Sequence, residues 1–165
     1  SHDTIKKCRK SVCFYIFSTL FYCMIISMKK DAKYSLLYVE DDKLIRSVVV
    51  EFLKEYFSQI YEAKDGVEAL NLYREKKPDI IITDIQMPKM DGLKLCQTIR
   101  SDDKTTPIII ISAYSNQEYL LKAVELNLVK YLIKPVLQEQ LFEAIELCFD
   151  RINSKDPSVI SLGHG

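Results

Sequence analysis

A chain of 165 residues has room for one domain of ordinary size and an appendage, and two full domains would be cramped. Hydrophobic residues at 48% and charged residues at 28% exclude wholesale disorder, and 4 Gly with 5 Pro exclude a collagen-like or linker-dominated chain. Lys+Arg and Asp+Glu both number 23, so bulk charge argues against a basic nucleic-acid binder.

The neutral total hides a split. Residues 1–30 hold six cations (Lys6, Lys7, Arg9, Lys10, Lys29, Lys30) and one anion, Asp3, so the remainder is net acidic. Within them, residues 12–26 read VCFYIFSTLFYCMII, with only Ser18 and Thr19 clearly polar. As a helix this run reaches about 22 Å, short of a hydrocarbon core of roughly 30 Å. No convincing small-residue cleavage site follows it. Three readings stand for residues 1–32: an upstream extension foreign to the fold that precedes a start at Met28, a segment that packs on a partner, or a membrane anchor. Cys96 and Cys148 sit inside helical patterns of the body and no C-x-x-C spacing occurs, which predicts a reducing, cytoplasmic setting and no zinc or thioredoxin-like chemistry.

From Tyr34 onward apolar runs and helical periods alternate. Residues 34–39 (YSLLYV) predict a buried strand. Residues 43–57 predict a helix, with Leu44, Val48, Val49, Phe52 and Tyr56 spaced as its apolar face. A short strand over 59–63, the punctuation of Asp65-Gly66 and a helix over 67–76 ended by Pro78 come next. Residues 79–83 (DIIIT) predict a third strand, 92–100 a helix, and 108–111 a strand made of isoleucine. Asn116 suits an N-cap for a helix over 117–126, and Asn127, tolerant of the left-handed conformation, suits its C-cap. A strand over 130–133 and a helix over 137–152 complete the body, and 153–165 reads as a polar tail or a linker cut short. Five continuous apolar strands alternating with five helices require cover on both sheet faces. The predicted fold class is therefore α/β, a doubly wound five-stranded parallel sheet.

In such sheets ligands bind outside the carboxyl ends of the strands. The residues predicted there are Glu40, Asp41 and Asp42 after strand 1, Asp84 after strand 3, Ser112 after strand 4 and Lys134-Pro135 after strand 5. Three or more carboxylates on one edge need compensation, and a hard divalent cation with room for water, Mg²⁺, fits them. Acids after strands also cap helices, and Asp42 is placed to do so.

The run DIQMPKMDG (84–92), the acidic cluster after strand 1, the Ser-Ala after strand 4 and the Lys-Pro after strand 5 together resemble the receiver domain of two-component response regulators, which has the flavodoxin-like fold. The resemblance covers residues 33–152. It implies a signalling switch rather than an enzyme that turns over a substrate, in which Asp84 accepts a phosphoryl group from a sensor histidine kinase or a phosphotransfer protein. It implies Asp41, Asp84 and the backbone carbonyl of Gln86 as Mg²⁺ ligands, with Glu40 acting through a metal-bound water. Glu40 stands where Asp is commoner. Ser112 and Lys134 would contact the phosphoryl oxygens, Tyr131 matches an aromatic switch position three residues before the lysine, and the peptide before Pro135 would be cis. Gln86 and Tyr114, two residues beyond Asp84 and Ser112, match positions that gate the approach of water and so set the lifetime of the phosphorylated form. Met87, Met90 and Gly92 read as structural. The implied output is a change in the face formed by helix 4, strand 5 and helix 5, met by a downstream protein target or a second copy, with no direct nucleic-acid contact by this chain.

Two rivals are weaker. A Mg²⁺-dependent phosphatase of the haloacid-dehalogenase type also places a nucleophilic Asp after a strand, but it needs an acid two residues later, where this chain has Gln86. A flavin binder needs a Ser/Thr/Gly-rich loop after strand 1, where Glu40-Asp41-Asp42 would repel a phosphate.

Overall fold

The computed structural model describes residues 33–115 and 117–155. The segment 1–32, the expected cap Asn116 and the tail beyond 155 lie outside the described residues. Five strands and five helices alternate in the order β1 (Ser35–Val39), α1 (Lys43–Leu53), β2 (Gln59–Ala63), α2 (Gly66–Lys76), β3 (Ile80–Asp84), α3 (Gly92–Asp102), β4 (Ile108–Ser112), α4 (Gln117–Glu125), β5 (Lys130–Ile133) and α5 (Gln138–Asn153). The strands form one parallel sheet in the order β2-β1-β3-β4-β5. This is the predicted doubly wound class.

The two-residue period of the strands divides the core into two layers. Leu36, Tyr38, Ile80, Ile82, Ile109 and Ile111 meet Val50 and Leu53 of α1 and Phe142, Ile145 and Cys148 of α5. On the opposite face Leu37, Val39, Ile81, Ile108 and Ile110 meet Ala69 and Tyr73 of α2 and Leu95, Cys96 and Ile99 of α3, with Tyr119 of α4 packed alongside. Each of these buried aliphatic side chains contributes on the order of 1.5–3 kcal/mol by leaving water. Cys96 and Cys148 are free, fully buried thiols, and burial pushes both up to about 12, so they serve as small hydrophobes.

The first helix departs from its predicted extent and, in part, from its predicted apolar face. It ends at Leu53, four residues early, and the chain turns through a Tyr56 N–H to Leu53 carbonyl bond of 3.0 Å. Leu44 and Val48 are exposed at 74% and 62%, whereas the inward stripe runs through Arg46, Val49, Val50 and Leu53. A reading of apolar residues alone rejects that stripe because a cation stands on it. Arg46 is tolerated there because its guanidinium finds oxygen partners at the start of the helix.

Elsewhere the boundaries move by one or two residues. Asp84 and Ser112 are the last residues of β3 and β4, where the sequence places them just beyond. Asn127 adopts φ 51° after α4, as a left-handed cap requires. Because all strands run the same way, their carboxyl ends share one edge. The chain order reverses between β1 and β3, which opens a crevice there.

Candidate functional site

The crevice is floored by the ends of β1 and β3. Glu40 follows β1 with its amide bonded to the Ala63 carbonyl at 3.1 Å, so the main chain is still held by the neighbouring strand as it leaves the sheet. Asp42 then turns away and caps α1, its carboxylate accepting from the Leu44 and Ile45 amides at 2.8 and 3.0 Å. Asp41, between them, is exposed and faces the crevice. One carboxylate oxygen from each of Glu40, Asp41 and Asp84 lies within 4.8 Å of the others.

Glu40 and Asp84 are buried. Lys134 answers their charge from the end of β5. Its ammonium bonds the Asp84 carboxylate and lies 3.5 Å from Glu40 Oε2. Burial pulls the Lys134 ammonium down, but the bond to Asp84 and the charges of Asp84 and Glu40 outweigh it and hold the pKa above its usual value. Glu40 is shifted upward, first by burial and further by the nearby acids, against the opposing Asp42 amide and Lys134. One ammonium is thus too little countercharge for three acids. The other Asp84 oxygen accepts the Gln86 amide at 2.9 Å, so both carboxylate oxygens are oriented.

The remaining predicted residues surround this cluster. Ser112 is fully buried, and its hydroxyl accepts the Tyr114 amide at 3.0 Å. The Ser112 carbonyl accepts the Lys134 amide at 2.8 Å, and the Lys134–Pro135 peptide is cis. The Gln86 side-chain amide donates to the Tyr114 hydroxyl. Tyr131 donates its hydroxyl to the Tyr114 carbonyl at 2.7 Å. Asp41, Gln86 and Tyr114, with Ile85, Met87 and Tyr119, line an open cleft of about 550 Å³ beside the acids. Gly92 leaves no room for a side chain, because a Cβ there would lie 2.0 Å from the Asp84 carbonyl oxygen.

An all-oxygen cluster of three acids, one of them open to solvent, suits a hard divalent cation that keeps part of its water shell. Those are the donors and the access that Mg²⁺ requires. Apart from the cation, the edge offers a buried hydroxyl, an ammonium and a carboxylate whose oxygens are held in fixed directions.

The sequence model for the response regulator receiver domain matches residues 36–146. The chain belongs to the response regulator receiver domain family. A Staphylococcus epidermidis protein named as an uncharacterized response regulatory protein is 37% identical over 116 residues, 68% of this chain and 45% of that protein. The transcriptional regulatory protein HptR of Staphylococcus aureus is 37% identical over 105 residues, 62% of this chain and 41% of that protein. The crystal structure of the N-terminal domain of an uncharacterized protein from Wolinella succinogenes superposes with a TM-score of 0.69 at 34% identity, covering 75% of this chain and all of that one. The chain spans less than half the length of these two Staphylococcus relatives. As a receiver domain it is a signalling switch of a two-component system rather than a classical enzyme. No helix among the described residues is long and apolar enough to cross a membrane.

The receiver site also contains a residue the sequence reading passed over. Arg46 Nη1 donates to the Glu40 carbonyl at 2.6 Å, and its Nε lies 3.5 Å from Glu62 Oε2. It ties the acid-bearing turn to β2 from beneath. Its signal in the sequence is a cation one turn into a helix, which ordinarily marks a solvated face.

Proposed function

We propose that Asp84 is the phosphoacceptor of a two-component signalling switch, served by a sensor histidine kinase or a phosphotransfer protein. The observation that carries this reading is the meeting of Glu40, Asp41, Asp84 and Lys134 at the carboxyl edge of β1, β3 and β5. An Asp84 carboxylate oxygen forms the new bond to phosphorus as the phosphorus–nitrogen bond of the partner's phosphohistidine breaks. The electron pair leaves on the imidazole nitrogen. Such a transfer has a loose transition state with charge on the equatorial oxygens, so beyond supplying the Asp84 nucleophile the site must position the groups and neutralise their charge.

Lys134 shifts its ammonium from the free carboxylate to a phosphoryl oxygen, and the Ser112 hydroxyl takes another. Asp41, Asp84 and the Gln86 carbonyl would hold Mg²⁺, with Glu40 acting through its water. When bound, the ion supplies positive charge to the acids and to the phosphoryl oxygens. A shift of Ser112 toward the phosphoryl group would release the Tyr114 carbonyl from Tyr131 and alter the α4–β5–α5 face, which a downstream protein or a second copy would read. This reading places the receiver unit at residues 33–152, with 1–32 and 153–165 as flanking segments, and sets it in the cytoplasm. The haloacid-dehalogenase alternative lacks support, since Gln86 stands where its general acid is needed.

Incubation with acetyl phosphate and Mg²⁺ tests the proposal. The parent is expected to gain one phosphoryl mass, dependent on Mg²⁺, and Asp84→Asn none. Uptake by Asp84→Asn, or by the parent in chelator, would overturn it.

A further inference from the structure

The loop that follows Asp84 is fastened at its far end by two charges that the phosphotransfer reading does not use. Asp65, 1% exposed, caps α2 with one oxygen, accepting from the Val67 and Glu68 amides at 3.0 and 2.9 Å. Its other oxygen accepts the Lys89 ammonium at 2.7 Å. Lys89 sits at φ 65°, a conformation uncommon for a residue with a side chain. The contact continues through the backbone, where the Gly66 amide donates to the Met90 carbonyl at 3.2 Å. A Cβ at Gly66 would lie 2.4 Å from that same oxygen, so the helix start and the loop touch with no space between them. At its near end the loop is closed by the Gly92 amide on the Ile85 carbonyl at 2.9 Å.

We propose that Asp65 and Lys89 are positioning residues that hold residues 86–91 so that the Gln86 carbonyl faces the divalent cation. This rests on the cation site argued above. The hydrogen bond from Lys89, followed by the Glu68 amide, keeps the Asp65 carboxyl below its ordinary range, consistent with a pair that stays ionised. The clamp lies outside the acid cluster and acts through geometry, which separates it from a simple charge effect. Removing the Asp65 charge weakens a nearby cation electrostatically, whereas removing Lys89 strengthens it. A positioning role makes both changes weaken binding.

Calorimetric Mg²⁺ titration of the full chain distinguishes these outcomes. In Asp65→Asn the amide oxygen still caps α2, and in Lys89→Ala the altered side chain is exposed, so both variants are expected to fold. The expected result is that each weakens Mg²⁺ affinity about fivefold, that the double variant is no weaker than either, and that Lys89→Arg is close to the parent. Phosphoryl uptake from acetyl phosphate should slow at low Mg²⁺ and recover at saturation. Opposite signs for the two single variants, additive losses, or unchanged affinity would overturn the proposal. A parent that binds no Mg²⁺ would instead overturn the cation reading. The clamp itself is then judged from hydrogen exchange at the Gly66 amide without metal, where faster exchange in both variants supports it and parent-like exchange rejects it.

Discussion

The Tyr114 hydroxyl accepts a hydrogen bond from Gln86, and the carbonyl of the same residue accepts one from Tyr131. Its ring lies 5.7 Å from that of Tyr119, centroid to centroid. With Asp84 as the proposed phosphoacceptor, an aromatic side chain fastened in this way would restrict the path by which water reaches an acyl phosphate in line. Tyr114→Ala is expected to lose phosphate faster than the parent by about tenfold, equivalent to roughly 1.4 kcal/mol of barrier. Tyr114→Phe, which keeps the ring and drops the bond to Gln86, should fall between them. Decay of the phosphorylated protein at one fixed Mg²⁺ concentration measures this, and unchanged or slower decay in a folded Tyr114→Ala protein rules the gate out. Gln86 and Tyr114 were each legible from their offsets to Asp84 and Ser112. Their mutual bond was not, because it joins two strand ends whose spacing no local pattern encodes.

At the scale of elements, α1 shows where apolar counting fails. Val49 and Tyr56 of its predicted apolar face join the core, whereas Leu44 and Val48 do not, because Arg46 occupies the inward stripe and bonds the Glu40 carbonyl. Leu53 is fully buried against Phe142 and its neighbours, whereas Leu44 is largely in water. Leu53→Ala should therefore cost about 2–5 kcal/mol in denaturant unfolding, while Leu44→Ala should stay within about 0.5 kcal/mol of the parent. Equal costs would mean that α1 presents the other face to the sheet. The β3–α3 loop shows the same limit of sequence reading. Asp65-Gly66 marks a helix start on its own, and nothing near it in the chain announces that Lys89 will be its partner.

Across the whole molecule, the alternation of apolar strands and helices made the sheet legible, and parallel strands bring their carboxyl ends together whatever the loop details. That is why acids scattered from Glu40 to Asp84, and Lys134 far beyond them, could be assigned to one site. Polar residues that join distant elements were the part left hidden. Asp103 is an example. It accepts the Tyr73 hydroxyl at 2.7 Å, the Thr105 and Thr106 amides at 2.7 and 3.1 Å and the Thr106 hydroxyl, and so ties α2 to the α3–β4 connection. Burial works against its charge, but the Thr106 and Tyr73 hydroxyls and the two amides prevail and hold its carboxyl well below the ordinary 3.8. A carboxyl depressed in the folded state contributes stability that is fully present above its unfolded value and is lost as pH falls toward its folded value. The thermal midpoint is expected to drop as the solution is acidified below about pH 4, and Asp103→Asn should flatten that part of the profile. An unchanged acid slope in the variant would contradict the assignment.

Asp84 is the one carboxylate proposed to carry the phosphoryl group, and chemical trapping of the acyl phosphate reads its position. Borohydride reduces an acyl phosphate to the alcohol, so an aspartyl phosphate becomes homoserine in the peptide that held it. After treatment with acetyl phosphate and Mg²⁺, homoserine is expected at position 84 and unmodified acid at 40, 41 and 42. Homoserine at 41 or 42, 5-hydroxynorvaline at Glu40, or no homoserine at 84 in protein that has gained the phosphoryl mass, would contradict it.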